Sequence, residues 1–540
     1  MLHNSKKETI LKEEVHENIL AIYLDDEPIN YIPEKDSGYT LDLTKSSCNN
    51  GAMVSWNDET WSVSVNFSNY QAEDISRTKC TLYFTEQNEY TQCVNMYGEA
   101  SANCKIIADL DTTDVCPPVN DDGSIGGSLD NVGGDFGENV NSYVCSAPDD
   151  YGTSYYFRGN VENNYVKFAG FYWRIIRLNG DGSIRMIYAG DADMIDALDN
   201  KEEVLSNGYD DSNTDYTQIG VSAFNDAWKR NNTPDTPAAS VSNDNAGVGY
   251  MYGNRDNLVE GTTELRTMEL KATDTWYVAS SYECDFEANS CSFVNPIAIK
   301  GSDLNESYVG YYAPSLDSTY FYKITSVIPS DGGSNAIMGY TYVRYGTTSK
   351  EKAQENINNS TIKDVIDAWY EENLLNTEYE EYLSDTLFCN DRSLSSNVDS
   401  TYTQLGYGVE KTGYRMKYSL SVTLKCNQQN DRFTVNDEAI GNGDLTYPIA
   451  LMTIDEAYFA GASITEGKGH YLYTGNDYWA MNATEFSGWG AAMEKLSNIG
   501  SGSNGEVQDS YGVRPVINLK ANSLQSGDGT INNPYMLSEN

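Results

Sequence analysis

The stretch from Tyr165 to Tyr188 constrains the local fold more than any other part of this 540-residue chain. Tyr165–Ala169 and Phe171–Leu178 are strand-like runs of aromatic and branched residues. Asn179-Gly180-Asp181-Gly182 then supplies residues that tolerate positive φ, and Ser183–Tyr188 returns. Such a pattern forms a β-hairpin, and the turn accounts for the Asp and Asn without any metal. The same reasoning extends along the chain. Trp61–Phe67 and Cys80–Phe84 alternate with period two, the mark of half-buried strands. Ala21–Leu24 opens a further strand, and Asp25-Asp26-Glu27-Pro28 turns it. Residues 21–86 are therefore expected to form a small β-sandwich-like module.

Residues 1–20 read as a leader or linker, although Met1–Glu8 lacks an apolar signal core. Residues 87–150 form a Cys-containing, Gly/Asp-rich connector, with a short helix between Glu86 and Tyr97. Residues 151–540 are expected to be one α+β domain. Within it, 262–350 reads as an inserted β module built on runs such as Thr275–Val278, Tyr308–Tyr312, Tyr320–Ile328 and Ala336–Arg344. A helix is expected over Ser222–Arg230, with Phe224 and Trp228 on one face. Ile362, Val365, Ile366, Trp369 and Tyr370 recur at helical spacing, with Thr361 as cap. Thr453-Ile454-Asp455-Glu456 is a capping box for a helix that stops at Gly461. Tyr471–Tyr473, Tyr478–Met481 and Val513–Leu519 are expected to be the last strands.

Charge removes several function classes. With 80 acidic and 35 basic residues the net charge is -45, so the basic footprint of a nucleic-acid or anionic-membrane binder is missing. No stretch reaches the ~18–20 apolar residues of a membrane span. Three His (His3, His16 and His470) give poor support for a zinc or His-based catalytic site. Calcium is the one cofactor that so many carboxylates leave open, but no twelve-residue EF-hand loop follows Asp121-Asp122-Gly123. Tyr, at 42 residues, exceeds Phe threefold, which suits either half-exposed strands or a recognition surface. Ten cysteines without metal-ligand spacing imply an oxidising, extracellular or cell-surface location. Proximity in sequence pairs Cys48–Cys80, Cys284–Cys291 and Cys389–Cys426. It leaves the pairing of Cys93, Cys104, Cys116 and Cys145 open.

A set of motifs in fixed order carries a resemblance. They are Tyr155–Gly159, Tyr172-Trp173-Arg174-Ile175-Ile176-Arg177, Asp385–Ser393, Tyr447–Glu456, Tyr473-Thr474-Gly475 and Val513-Arg514-Pro515-Val516-Ile517-Asn518-Leu519. Together they resemble surface proteins of Gram-positive gut bacteria. The main domain of these proteins is similar to a C-type-lectin-like fold of the formylglycine-generating-enzyme type, and a small disulfide-stapled, immunoglobulin-like β module precedes it. The resemblance implies the same architecture here. The enzymes of that superfamily use a cysteine pair shortly before their closing Arg motif to bind copper. This chain has no Cys after Cys426, 88 residues before Arg514, so the resemblance implies a non-catalytic relative.

Lectin-like domains display ligand-binding loops on a stable sheet. The corresponding stretch here carries Tyr473, Asn476, Asp477, Tyr478, Asn482 and Trp489. Aromatic faces beside Asn and Asp suit sugar rings or protein epitopes. The expected partner is thus a host or bacterial glycan or surface protein. Two alternatives stand beside it: a self-assembling, pilus-like surface subunit, and a divergent hydrolase or oxidase.

Overall fold

A computed structural model describes residues 19–538, except 36, 44, 58–59, 67–76, 87, 112–115, 126–141, 208–213, 227–237, 241–246, 254–257, 261–264, 286–289, 315–320, 332–334, 346–351, 353, 394–421, 464–466, 468 and 487–490. Strand makes up 42% and helix 16%, so the architecture is largely β with few helices. The chain divides into two compact units, residues 1–99 and 100–540.

In the first unit, Cys80–Glu86 is the organising strand. Ile19–Leu24 lies parallel to it, while Tyr39–Leu41 and Ser47–Cys48 pair with it antiparallel. Its side chains alternate between buried and half-buried, as its period-two pattern requires. Leu82 and Phe84 pack with Ile22 and Leu41, and Trp56 of the hairpin Met53–Asn57/Ser62–Asn66 sets its ring edge on Phe84 at 5.6 Å. The Cys48–Cys80 disulfide joins directly opposed residues of this sheet. The helix of the connector runs Glu89–Tyr97, capped by Asn88, whose Oδ1 accepts from Thr91 N at 2.8 Å.

In the second unit the hairpin forms where the sequence places it. Phe171–Leu178 pairs antiparallel with Ile184–Asp191. They are the middle of a sheet ordered Ile449–Ala450, Val516–Leu519, Ile184–Asp191, Phe171–Leu178, Thr153–Arg158, Tyr143–Pro148. Every residue of Phe171–Leu178 is buried, because the sheet is covered on both faces. A second sheet is ordered Gly220–Ala223, Ser510–Val513, Tyr478–Phe486, Ala491–Leu496, Gly502–Glu506. One core holds both: Trp173, Ile175, Met186, Ile362, Phe459, Trp479 and Val513 belong to a single buried cluster. A fully buried side chain of this size contributes about 1.5–3 kcal/mol relative to an exposed one. The helix Thr361–Asn373 lays Trp369 against Phe171 and Trp173, at 5.1 and 6.1 Å.

The segment between the short pair Met251–Tyr252 and Asn358–Asn359 has its own apolar cluster of Leu270, Val278, Leu304, Ile324 and Met338. Its main sheet runs Leu258–Glu260, Ala336–Tyr345, Phe321–Ile328, Tyr312–Pro314, with Arg266–Leu270 also on Ala336–Tyr345. In the hairpin Ser281–Asp285/Ser290–Val294 the backbones of Cys284 and Cys291 stand opposite each other; their side chains lie outside the described residues. Cys389–Cys426 and Cys116–Cys145 are bonded, which resolves part of the open set, and Cys93 and Cys104 are each disulfide-bonded too.

Five local expectations fail, the first being Val513–Leu519, which breaks at Arg514-Pro515 so that Ser510–Val513 joins one sheet and Val516–Leu519 the other. Ser222 and Ala223 belong to a strand paired with Tyr511 and Ser510, not to a helix, and 227–230 lie outside the described residues. Tyr308 ends a short 3-10 turn, with strand only from Tyr312. Tyr471–Tyr473 is irregular because Tyr471 N–H bonds Gly159 O across the fold rather than a sheet neighbour. Ser360, one residue before Thr361, caps the long helix.

Candidate functional site

Two places in the second unit gather chemistry-bearing side chains. One is a surface network that includes half of the residues expected to bind; the other is a buried charged cluster beneath a small cleft.

The surface network begins at the turn Tyr473–Asp477. Asp477 enters the sheet just ahead of Tyr478, and its Oδ2 pairs with Lys495 Nζ at 2.6 Å while Oδ1 accepts from Asn498 N at 2.6 Å. Tyr473 OH donates to Asn498 O at 3.3 Å. The Lys495 ammonium lies over the Tyr511 ring, 4.1 Å from its centroid, a cation–π contact. Asn476 Nδ2 donates to Asp215 Oδ2 at 2.6 Å. Tyr511 in turn rests edge-on against buried Trp479 at 4.8 Å. Burial pushes the Tyr511 phenol up from its ordinary value, and Asp509 adds to this against the pull of Lys495.

The other expected residues go elsewhere. Tyr478 is buried; its OH donates to Leu472 O at 2.8 Å, and burial raises its pKa to about 12. Asn482 is buried as well. It donates to Asp455 Oδ2 at 3.0 Å and accepts from Ile454 N at 2.7 Å, so it serves the start of the helix Ile454–Ala460. Neither presents its side chain at the outer surface. Both faces of their strand are covered, so alternation does not expose every second residue. Trp489 lies outside the described residues.

The buried cluster centres on Glu456. The capping box forms as expected: Glu456 accepts from Thr453 N at 2.9 Å, and Thr453 Oγ1 accepts from Glu456 N at 3.2 Å. The same carboxylate also holds two arginines from the central hairpin, with Arg177 Nε at 3.1 Å and Arg185 Nε at 2.5 Å. Arg177 has a second carboxylate, Asp149, at 2.7 Å. The electrostatics follow this asymmetry. Burial pulls down both arginines; Glu456 and Asp149 more than restore Arg177, whereas Arg185 stays below its ordinary value. Burial alone would raise Glu456, but Arg185, Arg177 and the Thr453 N–H hold it below the usual carboxylate range. Asp391, Lys425, Asp455 and Asn482 complete the walls of a cleft above this cluster. The cleft is small, with about the room of one water molecule.

Sequence reasoning missed Asp149, Arg177 and Arg185 as a group. The local signal was present in the buried polar positions of the hairpin, but nothing in spacing tied them to Glu456. Three further buried arginines, Arg158, Arg174 and Arg514, bond backbone carbonyls of the segments around them. Arg514 donates to Tyr188 O, Thr217 O and Leu472 O, and Arg174 to Tyr471 O. This gives the closing Arg motif a structural role beneath the surface network. Among the described residues no three His, Cys, Asp or Glu side chains converge as a metal-ligand group, and no helix is long and apolar enough to cross a membrane. No protein family, curated protein or solved structure matches this chain.

Proposed function

We propose that this chain is an extracellular, non-catalytic binding protein. In this reading the second unit is a C-type-lectin-like head with an inserted β module, and the first is an immunoglobulin-like module. The head recognises a glycan or a surface protein through the face built on Tyr473, Asn476, Asp477 and Tyr511, with buried Lys495 beneath them. One observation carries the reading. The turn Tyr473–Asp477, the strand of Lys495 and the strand of Tyr511 meet in one hydrogen-bonded network at the surface, seated on buried Trp479. Tyrosines held by fixed polar partners lose little entropy on binding, which favours recognition. The disulfides support an oxidising location. The neutralised partners of Arg177 and Glu456 support a structural rather than a catalytic cluster.

The test is binding of the oxidised protein to a glycan and matrix-protein array, with calcium and with chelator. Tyr473→Ala and Asp477→Ala should each weaken a specific signal at least tenfold, about 1.4 kcal/mol, and Tyr473→Ala should leave the unfolding midpoint of the head in place. A signal indifferent to both changes would move the site off this face. No signal on any glycan or matrix protein would count against recognition altogether.

A further inference from the structure

The segment between Tyr252 and Asn358 leaves and re-enters the second unit at a short neck, and its strand Ser290–Val294 also pairs with Ala238–Ser240, upstream of that neck. Met251–Tyr252 pairs with Asn358–Asn359, Ile357 N–H bonds Tyr252 O, and Ser360 Oγ donates to Tyr250 O at 2.7 Å. A single guanidinium ties the two sides together. Arg392 Nη1 donates to Met251 O at 3.1 Å on the outgoing side. Its Nη2 donates to Gln354 O at 3.2 Å and to Asn356 Oδ1 at 2.8 Å on the returning side. Gln354 Nε2 donates back to Arg392 O at 2.7 Å.

Arg392 is itself held from behind. It is buried, and Asp431 takes it with both oxygens: Oδ1 accepts from Nε at 2.6 Å, and Oδ2 from the Arg392 backbone N–H at 2.7 Å. The charge and the fork of the guanidinium are both used, so the arrangement depends on where Asp431 stands. The Cys389–Cys426 disulfide fixes that. It joins the strand that leads into Arg392 to the turn that leads into Asp431, beside a ladder of only two residue pairs, Phe388↔Phe433 and Cys389↔Arg432. Cys426 is buried, while Cys389 is only partly buried. Of the two residues Cys389 is the more exposed, so its sulfur is the one that an attacking thiolate approaches.

We propose that the Cys389–Cys426 disulfide is a redox latch on this neck, so that its reduction by a dithiol loosens Arg392–Asp431 and opens the neck at the base of the inserted segment. The step balances. One thiolate of the dithiol attacks Cys389 Sγ and expels the Cys426 thiolate. The second thiol of the same molecule attacks the mixed disulfide and releases Cys389. The dithiol becomes a cyclic disulfide, and its two electrons and two protons end on the two cysteines.

The experiment reduces the folded protein stepwise with dithiothreitol and maps opened cysteines by alkylation and mass spectrometry. Hydrogen exchange is followed at Tyr250, Ile357 and Ser360, whose amides bond across the neck or to its base. When Cys389–Cys426 opens, exchange there should rise at least tenfold while Phe171–Leu178 stays unchanged. Cys389→Ser with Cys426→Ser should give the same pattern without reductant. Arg392→Lys should give it with the disulfide intact, because lysine cannot span both sides of the neck. Unchanged neck exchange with the disulfide open overturns the latch. So does an equal rise in Phe171–Leu178, which would make the disulfide a support of the whole unit. If the double serine variant fails to fold, the reduced wild-type protein decides the matter alone.

Discussion

Replacing Glu456 by Gln keeps the shape of the side chain and removes one charge from the interior. The amide oxygen can still accept from Thr453 N, so the capping box survives and the loss is electrostatic. Arg177 keeps Asp149. Among the described residues Arg185 has no second carboxylate; its remaining acceptors, Leu387 O and Leu451 O, stand at 3.4 Å. Removing one partner of a buried pair costs about 3–5 kcal/mol, because the other charge stays behind uncompensated. That is a large part of the ~5–15 kcal/mol that holds a typical domain together. Urea unfolding followed by tryptophan fluorescence measures it, since Trp173, Trp369 and Trp479 report on the second unit. Adding Arg185→Met to Glu456→Gln should restore at least about 2 kcal/mol, since the stranded charge is then gone. The acid limb gives a second reading. Glu456 has a lowered pKa in the folded state, so its contribution is present above the ordinary carboxylate value and is lost as pH falls through the folded one. Glu456→Gln should therefore be less acid-sensitive than the wild type. A loss below about 1 kcal/mol, with no rescue by Arg185→Met, would refute the reasoning. It would mean that water entering through the adjoining cleft solvates Arg185.

Two further outcomes are expected. Burial holds His470 neutral down to about pH 4, against 6.5 when exposed, so stability is complete above about pH 6.5 and falls as pH drops toward 4. The loss is on the order of 3 kcal/mol, and His470→Gln should flatten that part of a stability–pH curve. Gly180→Ala should cost about 1–3 kcal/mol or more in urea unfolding, because the new Cβ would lie 2.4 Å from Gly152 N and 2.7 Å from Asp149 Oδ1.

Gly180 also shows where sequence reading stops. The hairpin around Asn179–Gly182 was legible because a turn is a local event, and its chemistry lies in four consecutive residues. The close approach of Gly152 and the Asp149 carboxylate was not, since it depends on a neighbouring strand. Glu456 divides in the same way. Its capping box spans three residues and could be read; its hold on Arg177 and Arg185 spans 279 and 271 residues and could not. Of the expected binding residues, Tyr473, Asn476 and Asp477 fall together because one turn carries them. Tyr478 and Asn482 continue into a strand whose two faces are both covered, and period two cannot reveal a second covering layer. Ser222–Arg230 has the spacing of a helix, but the ladder to Ser510–Val513 gives Gly220–Ala223 a partner that local propensity cannot anticipate.

The distribution of charge bears on the proposed ligand. Arg158, Arg174, Arg177, Arg185, Arg392 and Arg514 are all buried, as are Lys363 and Lys495. These eight cations face six buried carboxylates among the described residues: Asp149, Asp391, Asp431, Asp455, Glu456 and Glu494. The interior therefore takes up at least as much positive as negative charge, and the net charge of -45 is expressed at the surface. Around the proposed face, Lys495 is already paired with Asp477, while Asp215 and Asp509 stand close by. An anionic ligand at this face would meet repulsion from Asp215, Asp477 and Asp509, strongest at low salt, where the Debye length is longest. On the proposed reading, neutral glycans or cationic protein segments are the expected ligands of such a face, and sulfated and sialylated glycans are not. On an array read at about 0.05 M and about 0.5 M salt, a neutral-glycan signal should hold steady and a basic-peptide signal should fall as salt rises. A sulfated-glycan signal strongest at low salt would mean that a patch of opposite sign does the binding, and would move the site away from Tyr473–Asp477.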